Sequence, residues 1–542
     1  MRSVTEGTEV GKAELRRLFE RGTVYADRWT GEIRSRLDVP DPLTEVVAEA
    51  LGSKRSVVLA GNAGDGKSHL AQRALDQLPT RSCIEVTSDS PCPTPVPPEA
   101  IIFIRDASAL SDAAVLETTA ATLSAGATLL VTINEGPLSS LAHIAPSSVF
   151  PSLRDALHRR AVGDSETQDD RFLIINLAGR QLPRSDFVQG VLERLLPCVS
   201  PCGTCGKSSK TCPRVVGAKM LNKSRTARRR LGELLRLLTD GGRHLSAREI
   251  WAYAIDLFFG WTCPPGGDDV AQLAGYFWMR VFAGETRIAV EVSAQFDPVA
   301  VPMAREDVYI WQGRFDKIDA DSDYPGAPPA ALARENESHG LQAFESAKRC
   351  FFFFGKGLDA ASILASRSPA PRFGRLVERS LTEQRPVIRE HVGLINNYRL
   401  GLDTENDLWI SRHHGLAAHR RPSALAATGK LPIDKLTLHV PYQRDSARYE
   451  SSGFFPTKIF LAWEDSNQFL QIDFPTWQRL SEDRVLTVDR SQETLDFALD
   501  LFLSQAAIVA TDDPEIHVYD HRTQEATLLR IRPEERKIEV IR

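Results

Sequence analysis

Ser56-Val57-Val58-Leu59-Ala60-Gly61-Asn62-Ala63-Gly64-Asp65-Gly66-Lys67-Ser68-His69 is the stretch whose reading decides the fold. Val57 to Ala60 is a short apolar run of the kind that forms a buried strand. Gly61, Gly66, Lys67 and Ser68 complete the pattern G-x-x-x-x-G-K-[ST], and Leu70 to Leu78 continue with helical character. Strand, glycine-rich turn and helix form the context of a phosphate-binding loop. Glycines let the backbone curl so that successive N–H groups face phosphate oxygens. The start of the following helix adds partial positive charge. The residues expected around a nucleoside triphosphate are therefore Gly61, Asn62, Ala63, Gly64, Asp65, Gly66, Lys67, Ser68 and His69. Lys67 is expected to neutralise the β- and γ-phosphates, and the Ser68 hydroxyl to hold Mg²⁺.

Further apolar runs follow at regular intervals. Cys83 to Thr87 reads as a strand, and Ile101-Ile102-Phe103-Ile104 reads as another that delivers Arg105 and Asp106. A carboxylate at a strand end beside the loop completes a Mg²⁺ shell, so Asp106 is the second expected metal-side residue. A helix over Ser111 to Ala125 leads to a third apolar strand, Thr128 to Ile133, which ends in Asn134-Glu135-Gly136. Phe172 to Leu177 is a fourth. Strands alternating with helices predict a parallel sheet covered on both faces, with ligands at the carboxyl ends of the strands. Gly61, Asp106 and Asn134 all lie just past such ends.

The bulk composition excludes several classes. A chain of 542 residues, 42% hydrophobic and 25% charged, is long enough for about three or four globular domains. Its net charge of −5 rules out a uniformly basic nucleic-acid binder, so any such contact is local. The opening Met1-Arg2-Ser3-Val4-Thr5-Glu6 has no apolar core, so no secretory leader is expected. The strongest apolar helical stretch, Ile250 to Trp261, is short and contains Asp256. No membrane span and a cytoplasmic location are expected. The segments read as an amino-terminal helical stretch (1–45), a nucleotide core (46–180), a helical lid (181–265), a mostly helical region (266–404) and an α+β module (405–542).

Two local features stand out beyond the loop. Cys198, Cys202, Cys205 and Cys212 place four thiols in fifteen residues, spaced by glycine, lysine and serine. Four thiolates in a reducing compartment suit a closed tetrahedral Zn²⁺ site, or alternatively a [4Fe–4S] cluster. The stretch 214–236 carries Arg214, Lys219, Lys223, Arg225, Arg228, Arg229, Arg230 and Arg236 against a single acid, Glu233. On a helix this predicts a positive face that grips DNA phosphates without reading bases. Ser246 to Glu249 reads as a capping box opening a helix through Phe259. Four consecutive phenylalanines, Phe351 to Phe354, read as core. From about residue 405 the period becomes two, and Arg412-His413-His414 is the only paired-histidine site. That half carries no nuclease pattern, so any cleavage requires a partner protein.

The loop, Asp106 and the Asn134 strand together resemble the additional-strand class of P-loop NTPases, the AAA+ and STAND-like group. The resemblance implies a parallel sheet in which the Asn134 strand lies between the loop strand and the Asp106 strand. It implies that Asn134 is a polar sensor that positions the attacking water. It also implies an arginine reaching a neighbouring subunit's γ-phosphate, for which Arg154, Arg159 and Arg160 are candidates, and a lid arginine matched by Arg248. The class places a catalytic glutamate directly after the Mg²⁺ acid, but here Ala107 stands there. Glu135, leaving the sheet at the central strand tip, is the expected substitute base.

The order of the Gly-Asn-Ala-Gly-Asp-Gly-Lys-Ser loop, Ile104-Arg105-Asp106-Ala107-Ser108, Ile133-Asn134-Glu135-Gly136 and the cysteine knuckle is similar to the DptF-type ATPases of DNA-phosphorothioation-dependent restriction systems. That similarity implies an ATP-driven subunit of a prokaryotic anti-phage complex, oligomeric or hetero-complexed, working beside nuclease and DNA-tracking subunits. An AAA+ remodeller outside defence, and a nucleotide-gated switch with little hydrolysis, remain open as alternative readings.

Overall fold

A computed structural model describes residues 37–144, 166–168, 171–201, 207–261, 263, 272–312, 314, 337–355, 363–364, 367–400, 403–410, 424–440, 447–463, 469–482, 490–507, 511–520, 523, 525–532 and 537–541. Residues 1–36, Arg154, Arg159, Arg160, Cys202, Cys205 and the Arg412-His413-His414 site lie outside the described residues. The chain divides into two compact units. Unit 1 comprises Met1–Thr239, Arg243–Ser368 and Tyr442–Phe455, and unit 2 comprises Asp240–Gly242, Pro369–Pro441 and Pro456–Arg542.

Unit 1 is built on a sheet of order β2-β3-β4-β1-β6-β5. Its strands are β1 (Ser56–Gly61), β2 (Cys83–Val86), β3 (Ile101–Ile104), β4 (Thr128–Asn134), β5 (Glu166–Gln168) and β6 (Phe172–Asn176). Five of them run parallel, and β5 alone is antiparallel, against β6. The fold is α/β and compatible with a P-loop-like fold. Side chains alternate between two cores. Val57, Leu59, Ile101, Phe103, Leu130, Leu173 and Ile175 face α1 (Leu43–Gly52) and α2 (Lys67–Asp76). Val58, Ala60, Ile102, Ile104, Val131, Ile133 and Ile174 face α3 (Asp112–Ser124) and α4 (Glu135–Ile144). Burial on both faces explains why the strands read as unbroken apolar runs. Each such side chain contributes about 1.5–3 kcal/mol of transfer free energy.

β4 lies between β1 and β3, with Gly61 opposite Asn134 and Ile104 opposite Val131. The carboxyl ends of the loop strand and the Asn134 strand are thus level. On its other side β1 pairs with β6, which sets Ala60 opposite Asn176.

The helical remainder of unit 1 includes α5 (Phe187–Leu195), α6 (Pro213–Lys223), α7 (Arg225–Asp240), α8 (Ala247–Phe259), α9 (Phe277–Ala283), α10 (Arg287–Phe296), α11 (Ala304–Trp311) and α12 (Glu337–Phe354). One apolar cluster runs through all of these but α11, whose Ile310 packs with Ala347 and Phe351 of α12. Phe258, Phe277, Trp278, Phe352 and Phe353 meet in that cluster. The expected end of the lid at residue 265 therefore does not divide this core. Phe351, Phe352 and Phe353 are buried as expected.

Unit 2 holds α13 (Ala370–Ser380), α14 (Gln384–Leu400) and two antiparallel sheets, β11-β10-β9 and β14-β13-β12-β8-β7. Its strands are β7 (Asp407–Ile410), β8 (Ala424–Pro432), β9 (Leu436–His439), β10 (Lys458–Trp463), β11 (Phe469–Asp473), β12 (Thr511–Asp520), β13 (Glu525–Arg532) and β14 (Lys537–Ile541). The two-residue period from about 405 onward is thus strand. The stretch read as one carboxyl module is nonetheless interrupted. Tyr449 and Phe454 are buried in the unit 1 core beside Leu43, Val47 and Leu177, where their aromatic surface is removed from water.

Candidate nucleotide-binding site

The loop between β1 and α2 is shaped by its glycines. Gly66 has φ +89 and serves as the N-cap of α2, with nothing within 4 Å of a built Cβ. Gly64 has φ +96, and a Cβ there would lie 3.0 Å from the Arg248 Cβ and 3.2 Å from the Ser246 Oγ. Only glycine meets both demands at position 64.

Lys67 Nζ donates to Gly61 O (3.1 Å), Asn62 O (2.8 Å) and Asn134 Oδ1 (2.9 Å). Burial lowers its pKa below the ordinary lysine value. The carboxylates of Asp65, Asp106 and Glu135 oppose that shift, and the Arg248 charge adds to it. Ser68 is exposed at the start of α2, and Asp106 is exposed at the tip of β3. Asp106 Oδ1 accepts from Ser108 N at 3.0 Å and caps the turn Ala107–Ala109. Ala107 is 3% exposed and points into the apolar cluster of the sheet. A glutamate at 107 would have to bury its charge there, which accounts for the departure from the resembled pattern.

Asn134 ends β4, and its N–H donates to Ser108 Oγ at 3.3 Å. Glu135 is exposed and begins α4 rather than prolonging the strand end. Asn176 Nδ2 donates to Glu135 Oε1, while Asn176 Oδ1 accepts from Ala178 N at 3.1 Å. The Glu135 carboxylate is thus tethered to the tip of β6.

A cavity of about 540 Å³ opens beside the loop. This lies within the usual range of small-molecule sites. Gly64, Asp65, Gly66, Lys67, Ser68, His69, Asp106 and Arg248 line it, with Arg73, Arg105, Arg180 and Trp251. Gly61, Asn62, Ala63, Asn134 and Glu135 are not among its lining residues. His69 Nε2 is turned to Asp38 Oδ1 (2.8 Å), and Asp38 also pairs with Arg73 (2.8 Å). The expected site residues are thus split between the cavity and its supporting wall.

Arg180 and His244, and the particular contacts of Asp65 and Arg248, lay beyond the reach of sequence reasoning. Asp65 was read as a loop residue facing nucleotide, but its side chain is buried, with Oδ2 accepting from Asn62 N at 2.6 Å and Oδ1 lying 2.7 Å from His244 Nε2. Arg248 meets the loop through its backbone, its N–H donating to Gly64 O at 3.1 Å, while its side chain lines the cavity. Arg180 is buried, pairs with Asp41 at 2.9 Å and donates to Ser452 O at 2.8 Å. No local pattern marks His244 or Ser452, because their partners are remote in sequence.

The basic stretch is less available than its composition suggests. Arg214 is buried and donates to Trp261 O. Arg230 is buried and donates to Phe352 O (2.6 Å) and Gly355 O (3.1 Å). Arg228 is turned to Leu221 O, Asn222 O and Gln189. Guanidinium groups bind helix-end carbonyls well, so these arginines close the helical core instead of forming a surface. Lys219, Lys223, Arg225, Arg229 and Arg236 remain exposed, and Arg229 pairs with Glu233.

Of the four clustered cysteines, Cys198 ends the turn Leu196–Cys198, and Cys212 is buried as the N-cap of α6. No group of three or more metal-ligating side chains occurs among the described residues. No helix among them is long and apolar enough to cross a membrane. Comparison with protein-family models, curated proteins and solved structures returns no match.

Proposed function

We propose that this chain binds and hydrolyses MgATP as the nucleotide-driven subunit of a prokaryotic DNA-restriction complex of the phosphorothioation-dependent type. One observation carries the nucleotide reading: β4 lies between β1 and β3, so Asn134 Oδ1 meets Lys67 Nζ at 2.9 Å above the loop strand. Loop, acid and polar sensor then share one sheet edge. The loop N–H groups and Lys67 hold the phosphates, and Asn134 orients the water that attacks the γ-phosphorus as its bond to the β,γ-bridging oxygen breaks and ADP leaves. Ser68 and Asp106 have the oxygen donors that suit Mg²⁺, which neutralises phosphate charge when bound. Glu135 takes the proton from that water, and Arg248 supplies positive charge from the cavity wall.

The alternative of a nucleotide-gated switch is favoured by one feature, the hold of Asn176 on Glu135 away from the cavity lining. The defence role rests on the resemblance alone. Contact with DNA phosphates is assigned to Lys219, Lys223, Arg225, Arg229 and Arg236, the exposed members of the basic stretch. Zn²⁺, or alternatively a [4Fe–4S] cluster, is assigned to Cys198, Cys202, Cys205 and Cys212 on the chemistry of the donor set.

The deciding measurement is ATP turnover with and without duplex DNA, for the wild-type chain, Lys67→Ala and Glu135→Gln. Loss of binding in Lys67→Ala, together with binding but no turnover in Glu135→Gln, is expected. Normal turnover in both variants refutes the site, and single-turnover hydrolysis by the wild type that DNA does not accelerate favours the switch.

A further inference from the structure

Within the loop that the preceding reading assigns to phosphate, one carboxylate that borders the cavity is engaged by the protein itself. Asp65 is 4% exposed. A carboxylate placed so close to bound phosphates repels them unless its charge is balanced. Here Lys67 of the loop supplies part of the balance, and His244 supplies a direct partner, its Nε2 2.7 Å from Asp65 Oδ1 and its side chain only 27% exposed. The second Asp65 oxygen accepts from Asn62 N at 2.6 Å and so closes the loop on itself.

The segment that carries His244 is rigid. Ser246 caps α8 in a reciprocal box with Glu249, with Glu249 N donating to Ser246 Oγ (3.3 Å) and Ser246 N donating to Glu249 Oε2 (3.0 Å). Arg243 ties Glu249 to Glu291 of α10. The same segment touches the loop a second time, through Arg248 N to Gly64 O, where a Cβ on residue 64 would press on the Arg248 Cβ at 3.0 Å. The loop apex is therefore bolted at two adjacent residues to the start of α8.

We infer that His244 is a positioning residue for the nucleotide: through Asp65 it fixes the phosphate-binding curl of the loop without touching the ligand. The inference rests on the nucleotide reading of the site. The groups acting on His244 are Asp65 of the loop, Glu249 of α8 and Glu135 at the tip of β4. Arg243 beside it is engaged by Glu249 and Glu291. Burial alone would lower the imidazole pKa. The hydrogen bond and charge of Asp65, with the two glutamates, outweigh burial and raise it above the ordinary histidine value. The imidazolium is thus retained as pH rises past the usual histidine range, and it is lost on passing through the raised value. Above that point only Lys67 opposes the Asp65 charge, which draws on the lysine proposed to meet the phosphates, and the loop holds them less well.

The test is ATP affinity by titration calorimetry with Mg²⁺ in excess, from about pH 6 to about pH 9, alongside kcat at saturating ATP. For the wild type, Kd is expected to rise about five- to tenfold across the range. His244→Gln keeps a donor without a titrating charge and should give a flat profile near the high-pH value. His244→Ala should weaken binding about tenfold with kcat at saturation within about twofold. Asp65→Asn keeps an acceptor for Asn62 N and should also flatten the profile, so it answers the question if His244→Ala fails to fold. Wild-type affinity in His244→Ala, or a wild-type slope in His244→Gln, overturns the inference while leaving the nucleotide reading intact. A wild-type chain that takes up no ATP at any pH removes that reading and the positioning role with it.

Discussion

Lys67 Nζ and Asn134 Oδ1 are 2.9 Å apart, although 67 residues separate them. The contact exists because β1 and β4 are parallel neighbours in a register that sets Gly61 against Asn134. It places the lysine proposed to meet phosphate and the amide proposed to orient water on one hydrogen bond. Asn134→Ala should leave ATP affinity within about threefold and lower kcat about a hundredfold, since it removes a positioning contact rather than a binding one. Steady-state kinetics and equilibrium binding on the same preparation check this.

Gly64→Ala tests the loop's second anchor. The new methyl would meet the Arg248 Cβ at 3.0 Å in a backbone region disfavoured for alanine, at φ +96. A loss of about 2 kcal/mol in stability is expected, with ATP binding weakened at least as much as in His244→Ala. Urea unfolding and calorimetric titration measure the two effects.

Arg180 is a buried cation held by Asp41 and by the carbonyl of Ser452. Ser452 Oγ also donates to Asp41 at 3.2 Å, and Gln181 N donates to Gly453 O at 2.7 Å. Residues 447–455 are thus fastened to the end of the sheet that carries the cavity. Arg180→Met leaves the Asp41 charge without its partner and should cost about 3 kcal/mol. The urea midpoint, with protease sensitivity mapped near residue 450, reports the loss.

His391 predicts an acid-labile unit 2. It is fully buried on α14, with Nδ1 2.8 Å from Val387 O. Burial lowers its pKa to about 4, against 6.5 for an exposed histidine. The unfolded chain therefore takes up the proton first as pH falls. The stability contribution is complete above about 6.5 and is lost progressively toward pH 4, a difference on the order of 3 kcal/mol. Urea midpoints at pH 7 and pH 4.5 should diverge less for His391→Gln than for the wild type.

Metal content is a separate test. With all four thiolates engaged, purified protein should carry about one equivalent of Zn²⁺ per chain, or brown colour if the site holds iron and sulfide. Cys212→Ser should lose the metal and loosen α6, whose N-cap it forms. A stoichiometric metal retained by Cys212→Ser counts against the four-thiol assignment.

What the sequence determined by itself was local and contiguous. An apolar run, a glycine turn and a helix start lie within fourteen residues, and each dictates its own backbone, so the loop was legible before any packing was known. The strand cores from Ile101, Thr128 and Phe172 were legible for the same reason, because burial on both faces removes polar residues from the run. Only the tertiary structure decided what crosses the chain. His244 reaches Asp65 from 179 residues away. Arg228 and Arg230 turned inward, since helix ends leave carbonyls that a buried guanidinium satisfies better than water can. Ala107 faced the core because Asp106 caps a turn over Ala107–Ala109 that folds back onto the sheet, and which residue of such a turn is buried depends on the helices packed above it.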